Sequence, residues 1–143
     1  MRYLFDTDHI SFIQRRSGSE FANILSRIAQ HPSTDFGLSI ISFHEQVLGA
    51  HNFINRARTN IEVIRGYTLL QETLQGFSNA PVLTFDAKAI AIFDELRAQK
   101  IRTSTMDLRI AAIALSNNLV LLTRNTRDFE KVPGIVMEDW TID

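Results

Sequence analysis

The chain has 143 residues, 45% hydrophobic and 22% charged, with a formal net charge of −1 and no cysteine. This length suits one domain with its own core, and the composition is that of a soluble globular protein rather than a disordered one. The absence of cysteine excludes a disulfide framework, a thiolate nucleophile and any Cys-based zinc site.

The elements can be read in chain order. Residues 2–6 form a short apolar strand ending at Asp6, and Asp8 opens a short helix. Residues 19–30 place Phe21, Ile24, Leu25 and Ile28 at helical spacing, and His31, Pro32 and Ser33 end that helix. Residues 36–41 read as a second strand, and Ser42 starts a helix carrying Phe43, Val47, Leu48 and Ile54. A long helical stretch follows, with Ile61, Ile64, Leu69, Leu70 and Leu74 apolar. Pro81 starts a strand over 81–85, and Asp86 caps a helix over 87–100. Another helix spans 105–117 and stops at Asn117-Asn118, and 119–123 is an apolar strand. A short helix over 125–130 and a final edge strand over 134–138 complete the pattern. Strands alternating with helices predict a mostly parallel sheet covered on both faces, with the ligand site beyond the carboxyl ends of the strands.

That rule singles out the acids. Asp6 ends the first strand, Glu45 lies a turn beyond the second, Asp107 falls in the first turn of a later helix, and Asn125 and Asp128 follow the 119–123 strand. Ser42 to Glu45, Ser104 to Asp107 and Asn125 to Asp128 also have the spacing of a capping box, so each acid has a structural explanation at a helix start. Asp6 is harder to explain as structure, because an unpaired carboxylate closing an apolar strand is costly. Clustered carboxylates repel one another without a cation, and hard divalent ions take oxygen ligands, so Mg²⁺ or Mn²⁺ is the natural partner. Such an ion serves phosphodiester hydrolysis.

The four histidines show no zinc spacing; His9 beside Asp8 and His44 beside Glu45 are expected at the surface or behind the acids. No G-x-S-x-G and no phosphate-cradling glycine loop occurs. Near-neutral charge argues against a nucleic-acid coat protein, but 12 of the 15 basic residues are Arg, the better phosphate ligand. If Asp6, Asp8, Glu45 and Asp107 share one site, 12 acids face 15 bases elsewhere, leaving a slightly cationic surface.

The segments YLFDTDHIS, SIISFHEQVLGA, TSTMDLRIAAIAL and LVLLTRNTRDFEKVPGIVMEDW resemble the PIN domain and, more closely, VapC-type toxins of toxin–antitoxin pairs. The resemblance covers nearly the whole chain and implies one domain over residues 1–143. It implies a three-layer α/β/α fold around a short, mostly parallel sheet, and a Mg²⁺-dependent endoribonuclease inhibited by a cognate antitoxin. Asp6 and Asp107 match the family's metal-binding aspartates, and Glu45 matches the acid after the second strand, completing the site or orienting water. The fourth acidic position falls near Asn125 or Asp128, a departure that puts a second tightly bound metal in question. Asp8 stands where Asn is commoner. Asn125, Asp128 and Asp8 would stand behind the ligands, Arg109, Arg124 and Arg127 would hold RNA phosphates, and Thr7 and Thr123 would supply hydroxyls.

A homodimer is expected from the spare apolar positions of 43–76. No apolar run reaches the roughly 18–20 residues of a membrane helix, and Asp6 and Asp8 come too early for a signal peptide, so the cytoplasm is the expected address. Two other readings stay open. One is a PIN-like module that binds RNA or protein without turnover. The other is a D-x-D phosphatase, which would need a downstream lysine and acidic pair that Lys88, Lys100 and Lys131 do not provide.

Overall fold

The computed structural model describes all 143 residues. Five strands form one parallel sheet in the order β3-β2-β1-β4-β5. They are β1 (Tyr3–Phe5), β2 (Phe36–Ser39), β3 (Val82–Leu83), β4 (Val120–Leu122) and β5 (Val136–Glu138). The central strand β1 pairs with β2 through Tyr3 and Phe36 and with β4 through Leu4 and Leu121. A parallel sheet of this kind is covered on both faces, so β1 and β2 are buried at every position and mostly apolar, Ser39 at the end of β2 being the polar exception.

Alternation along the strands divides the interior into two cores. Leu4 and Leu121 face α5 (Ala87–Ala98) and α6 (Thr105–Ser116), where Phe93, Leu96, Ile110 and Ile113 are buried. Tyr3, Phe5 and Leu122 face the other way, onto Ile10 of α1 (Thr7–Arg15), Ile24 of α2 (Gly18–Ile28) and Trp140 of the C-terminal tail. This is the expected three-layer α/β/α arrangement. The remaining long helices, α3 (Ile40–Arg56) and α4 (Asn60–Ser78), form a hairpin. A Cβ at Gly66 would collide with Ile54 and press on Phe53, so the close approach of the two helices depends on that glycine.

The structure corrects several boundaries. The strand expected over 36–41 ends at Ser39, whose hydroxyl accepts from the Ser42 N–H at 3.1 Å. Ser39, not Ser42, therefore caps α3, and the helix starts before the predicted capping box. The carboxylate of Asp6 caps α1, which begins at Thr7 rather than Asp8. The strand expected over 81–85 shrinks to two residues. The chain leaves the sheet edge for the Asp86 cap of α5, whose carboxylate accepts from the Ala89 N–H at 3.0 Å.

Candidate functional site: an acidic crevice at the sheet's switch point

The chain runs outward from β1 to β2 and β3, then crosses back to place β4 on the other side of β1. The carboxyl ends of β1 and β4 therefore flank the topological switch point, where open α/β sheets bind ligands. Asp6 follows β1 directly and the turn 123–125 follows β4. Asp107 comes from the first turn of α6 and Glu45 from α3.

Hydroxyls hold these acids in place. Asp6 is buried, with Oδ1 accepting from the Thr7 N–H at 2.8 Å and Oδ2 accepting from the Thr123 hydroxyl at 2.8 Å. Thr7 Oγ1 lies 2.8 Å from Glu45 Oε1 and 2.9 Å from Ser42 Oγ. Its single proton serves the carboxylate, leaving Ser42 to donate to it. Glu45 thus reaches across to α1 and does not close the Ser42 capping box. Ser104 caps α6 by accepting from the Asp107 N–H at 3.1 Å, and the Asp107 carboxylate receives the Asn125 amide at 3.4 Å. Asn125 precedes α7 (Thr126–Phe129), but its side chain makes no capping bond.

Asp8 accepts from the Arg124 N–H at 2.9 Å and stands behind Asp6. Asp128 turns outward, its carboxylate 3.5 Å from Lys131 Nζ. Arg124 packs over Phe12 and Arg109 over Phe93, and neither they nor Arg127 form an ion pair.

Three of the acids hold their protons more tightly than usual. Burial, then the neighbouring Asp8, raises Asp6 from 3.8 to about 7, against the opposing hydrogen bonds from Thr123 and Thr7. Burial, and then the charges of Asp107 and Asp8, also raise Glu45, against the Thr7 bond and His44. Asp107 is raised by burial and by Asp128 and Asp8, against its Ser104 bond. The crevice concentrates negative charge with which no Lys or Arg forms an ion pair. All-oxygen donors in this setting fit a hard divalent ion. The carboxylates do not form a closed cage, since no three His, Cys, Asp or Glu side chains group tightly enough to hold an ion unaided. Mg²⁺ does not require such a cage, since it takes one or two carboxylates directly and keeps several waters.

His9 takes the second of the two places expected for it, behind the acids. It is fully buried between Asp8 and the backbone of Trp140, not at the surface. The available signal was a polar residue beside Ile10 on the buried face of an amphipathic helix. Away from the crevice, an apolar groove of about 490 Å³ opens between α1, β2 and the end of α4, with Phe5, Ile10, Phe36, Leu38 and Phe77 in its walls and no charged residue.

A parallel α/β/α sandwich with carboxylates gathered at its switch point is an architecture suited to divalent-cation chemistry on a bound ligand. Residues 3–135 match the PIN domain family. The tRNA(fMet)-specific endonuclease VapC of Salmonella typhimurium is 34% identical over 107 residues, covering 72% of this chain and 74% of that protein. Ribonuclease VapC2 of Haemophilus influenzae is 28% identical over 144 residues, covering 98% of each. A chain in the crystal structure of DNA-bound VapBC from Salmonella typhimurium superposes with a TM-score of 0.76 at 26% identity, covering 98% of both chains. The protein belongs to the PIN-domain family, in its VapC branch.

Proposed function

We propose that this protein is a metal-dependent endoribonuclease and the toxin of a toxin–antitoxin pair. The observation that carries the reading is the crevice, where Asp6, Glu45 and Asp107 converge, all are driven toward protonation, and no Lys or Arg pairs with them. Asp6 and Asp107 hold Mg²⁺ (Mn²⁺ can replace it), and Glu45 completes the site. A divalent ion held there would supply charge neutralisation for the acids and the phosphate and would make a water more acidic. Glu45, oriented by Thr7, is placed to accept the proton of the attacking water. Asn125 orients Asp107, while Thr123 and Asp8 support the acids from behind; Asp128, turned toward Lys131, is left outside the site. Arg109, Arg124 and Arg127 meet RNA phosphates. Water as nucleophile leaves a 5′-phosphate and a 3′-hydroxyl. Transfer RNA is the first substrate class to test, because the Salmonella relative is named for it.

The partner is an antitoxin, as the VapBC complex among the structural neighbours suggests. An antitoxin arginine or lysine would pair with the crevice acids while apolar residues lie in the groove beside Phe36 and Phe77. Exposed Leu48, Ile61, Ile64, Tyr67 and Leu74 on the α3–α4 hairpin support a homodimer. One sheet runs through the whole chain, which supports a single PIN-like domain over 1–143. No helix is long and apolar enough to cross a membrane, and the proposed address is the cytoplasm.

The test is cleavage of purified tRNA and total RNA with Mg²⁺ or Mn²⁺, with and without EDTA. Metal-dependent products ending in 5′-phosphate support the proposal, and undiminished cleavage in EDTA refutes it. The second reading is a PIN-like module that binds without turnover. It is favoured by the neutral Asn125 beside Asp107. Mg²⁺ binding in calorimetry with intact RNA would select it.

A further inference from the structure

The geometry points to His9 as a positioning residue that orders both sides of the acidic crevice through Asp8, an inference that rests on the nuclease reading above. His9 is completely buried. Its Nε2 lies 3.1 Å from the backbone N of Trp140 and its Nδ1 lies 2.7 Å from Asp8 Oδ1. A backbone N–H can only donate, so Nε2 accepts. In the neutral ring Nδ1 then carries the proton and donates it to Asp8. The only other charged group facing the ring is Asp139, 3.8 Å from Nε2 and beyond hydrogen-bond reach.

Asp8 uses its second oxygen on the opposite loop. Oδ2 accepts from the Arg124 N–H at 2.9 Å and lies 3.4 Å from the Thr123 hydroxyl. That hydroxyl spends its one proton on Asp6 at 2.8 Å and accepts from the Asn125 N–H at 2.9 Å. The turn held by Asp8 therefore presents Thr123 to Asp6 and Asn125 to Asp107. His9 fixes the strut from one end, and the tail fixes His9. Trp140 is itself buried, with its indole stacked 5.5 Å from the ring of His31 and tilted 4.8 Å from that of Tyr3. Trp140 also lies outside the residues matched to the PIN family, 3–135. The tail thus enters the site through one imidazole, which has to be in one tautomer. Asp8 receives an N–H on each oxygen, an arrangement that Asn, with a single acceptor oxygen, cannot reproduce.

Two measurements test this. The first is the long-range ¹H–¹⁵N imidazole spectrum of the intact wild-type protein at neutral pH. It should show His9 with a protonated Nδ1 and a bare Nε2; a proton on Nε2 overturns the proposal. The second is a variant series assayed on RNA. His9→Ala and His9→Gln should lower kcat roughly 10–100-fold, the usual effect of losing a partner that orients a metal-site ligand. KM should change less than kcat, because Arg124 is one of three proposed phosphate contacts whereas the acids are held by this strut. His9→Asn, which keeps a donor near the Nδ1 position, should recover most of kcat. In an Asp8→Asn background the loss from His9→Ala should vanish, because the pathway through Asp8 is already broken. A His9→Asn variant as impaired as His9→Ala, or an undiminished loss in the Asp8→Asn background, means that His9 merely packs and the inference is wrong. If the wild-type protein cleaves no RNA, the nuclease reading fails on its own. The Arg124 amide resonance then still decides the role of His9: it should shift in His9→Ala and return toward wild type in His9→Asn.

Discussion

Asp6 carries the highest electrostatic cost in the crevice. Its carboxyl binds a proton more tightly in the folded protein than in the unfolded chain, so folding takes up a proton between pH 3.8 and about 7. Metal-free protein therefore loses stability as pH rises through that window. The cost is complete above pH 7 and amounts to about 4 kcal/mol. Asp6→Asn keeps the shape and deletes the charge. In chemical denaturation without metal, this variant should be more stable than wild type at pH 8, with the gap shrinking at pH 5. Equal stability at pH 8 would contradict the burial argument. The same variant, and Asp107→Asn, should lose RNA cleavage while remaining folded; unfolding of both would instead make these acids structural. Because a cation must displace the Asp6 proton, metal affinity should weaken as pH falls below 7, with proton uptake on metal release visible in calorimetry.

The elements differ in how much they tolerate. Ser39 both ends β2 and caps α3, setting the rotation at which Glu45 meets Thr7. Ser39→Ala should cost about 1 kcal/mol of stability, the usual value of a lost cap, and lower kcat as well, because Glu45 is displaced. Ser42→Ala leaves that cap intact, and a greater stability loss there than at Ser39 would reverse the assignment. On the α3–α4 hairpin, Gly66→Ala forces a methyl into Ile54 and Phe53. Overpacking of this kind costs about 1–3 kcal/mol, measurable as a lower denaturation midpoint. Unchanged stability would show that the hairpin can open without penalty.

At the scale of the whole molecule, the exposed apolar side chains of α4 are the surface on which the proposed homodimer is to be tested. Ile61, Ile64 and Tyr67 are more than half exposed, at 80%, 66% and 57%. If they cover one another across a two-fold axis, light scattering should give a dimer mass, and Ile64→Glu should convert it to monomer without loss of helicity. A wild-type monomer at all accessible concentrations would leave this face for the antitoxin. Co-expression with the antitoxin should yield a complex without RNase activity, and Mg²⁺ should compete with the inhibiting segment for the crevice.

Much of this was legible in the residues alone. Period-2 and period-3.6 patterns and the Asp86 and Ser104 caps are local, so helices and strands could be placed to within a few residues. The boundaries that moved did so where two local signals competed, as at Ser39 and Ser42, both able to cap the same helix. The candidacy of Asp6, Glu45 and Asp107 followed from their places after strands and at a helix start. Their convergence did not, because it depends on the order β3-β2-β1-β4-β5, and strand order is a property of long-range packing that no local pattern encodes. Nor could spacing distinguish a capping glutamate from one reaching for Thr7, 38 residues away in sequence. The burial of His9 against Trp140, 131 residues apart, lies at the far end of that range: the chain specifies both residues, but only the closed sandwich brings the tail back to the first helix.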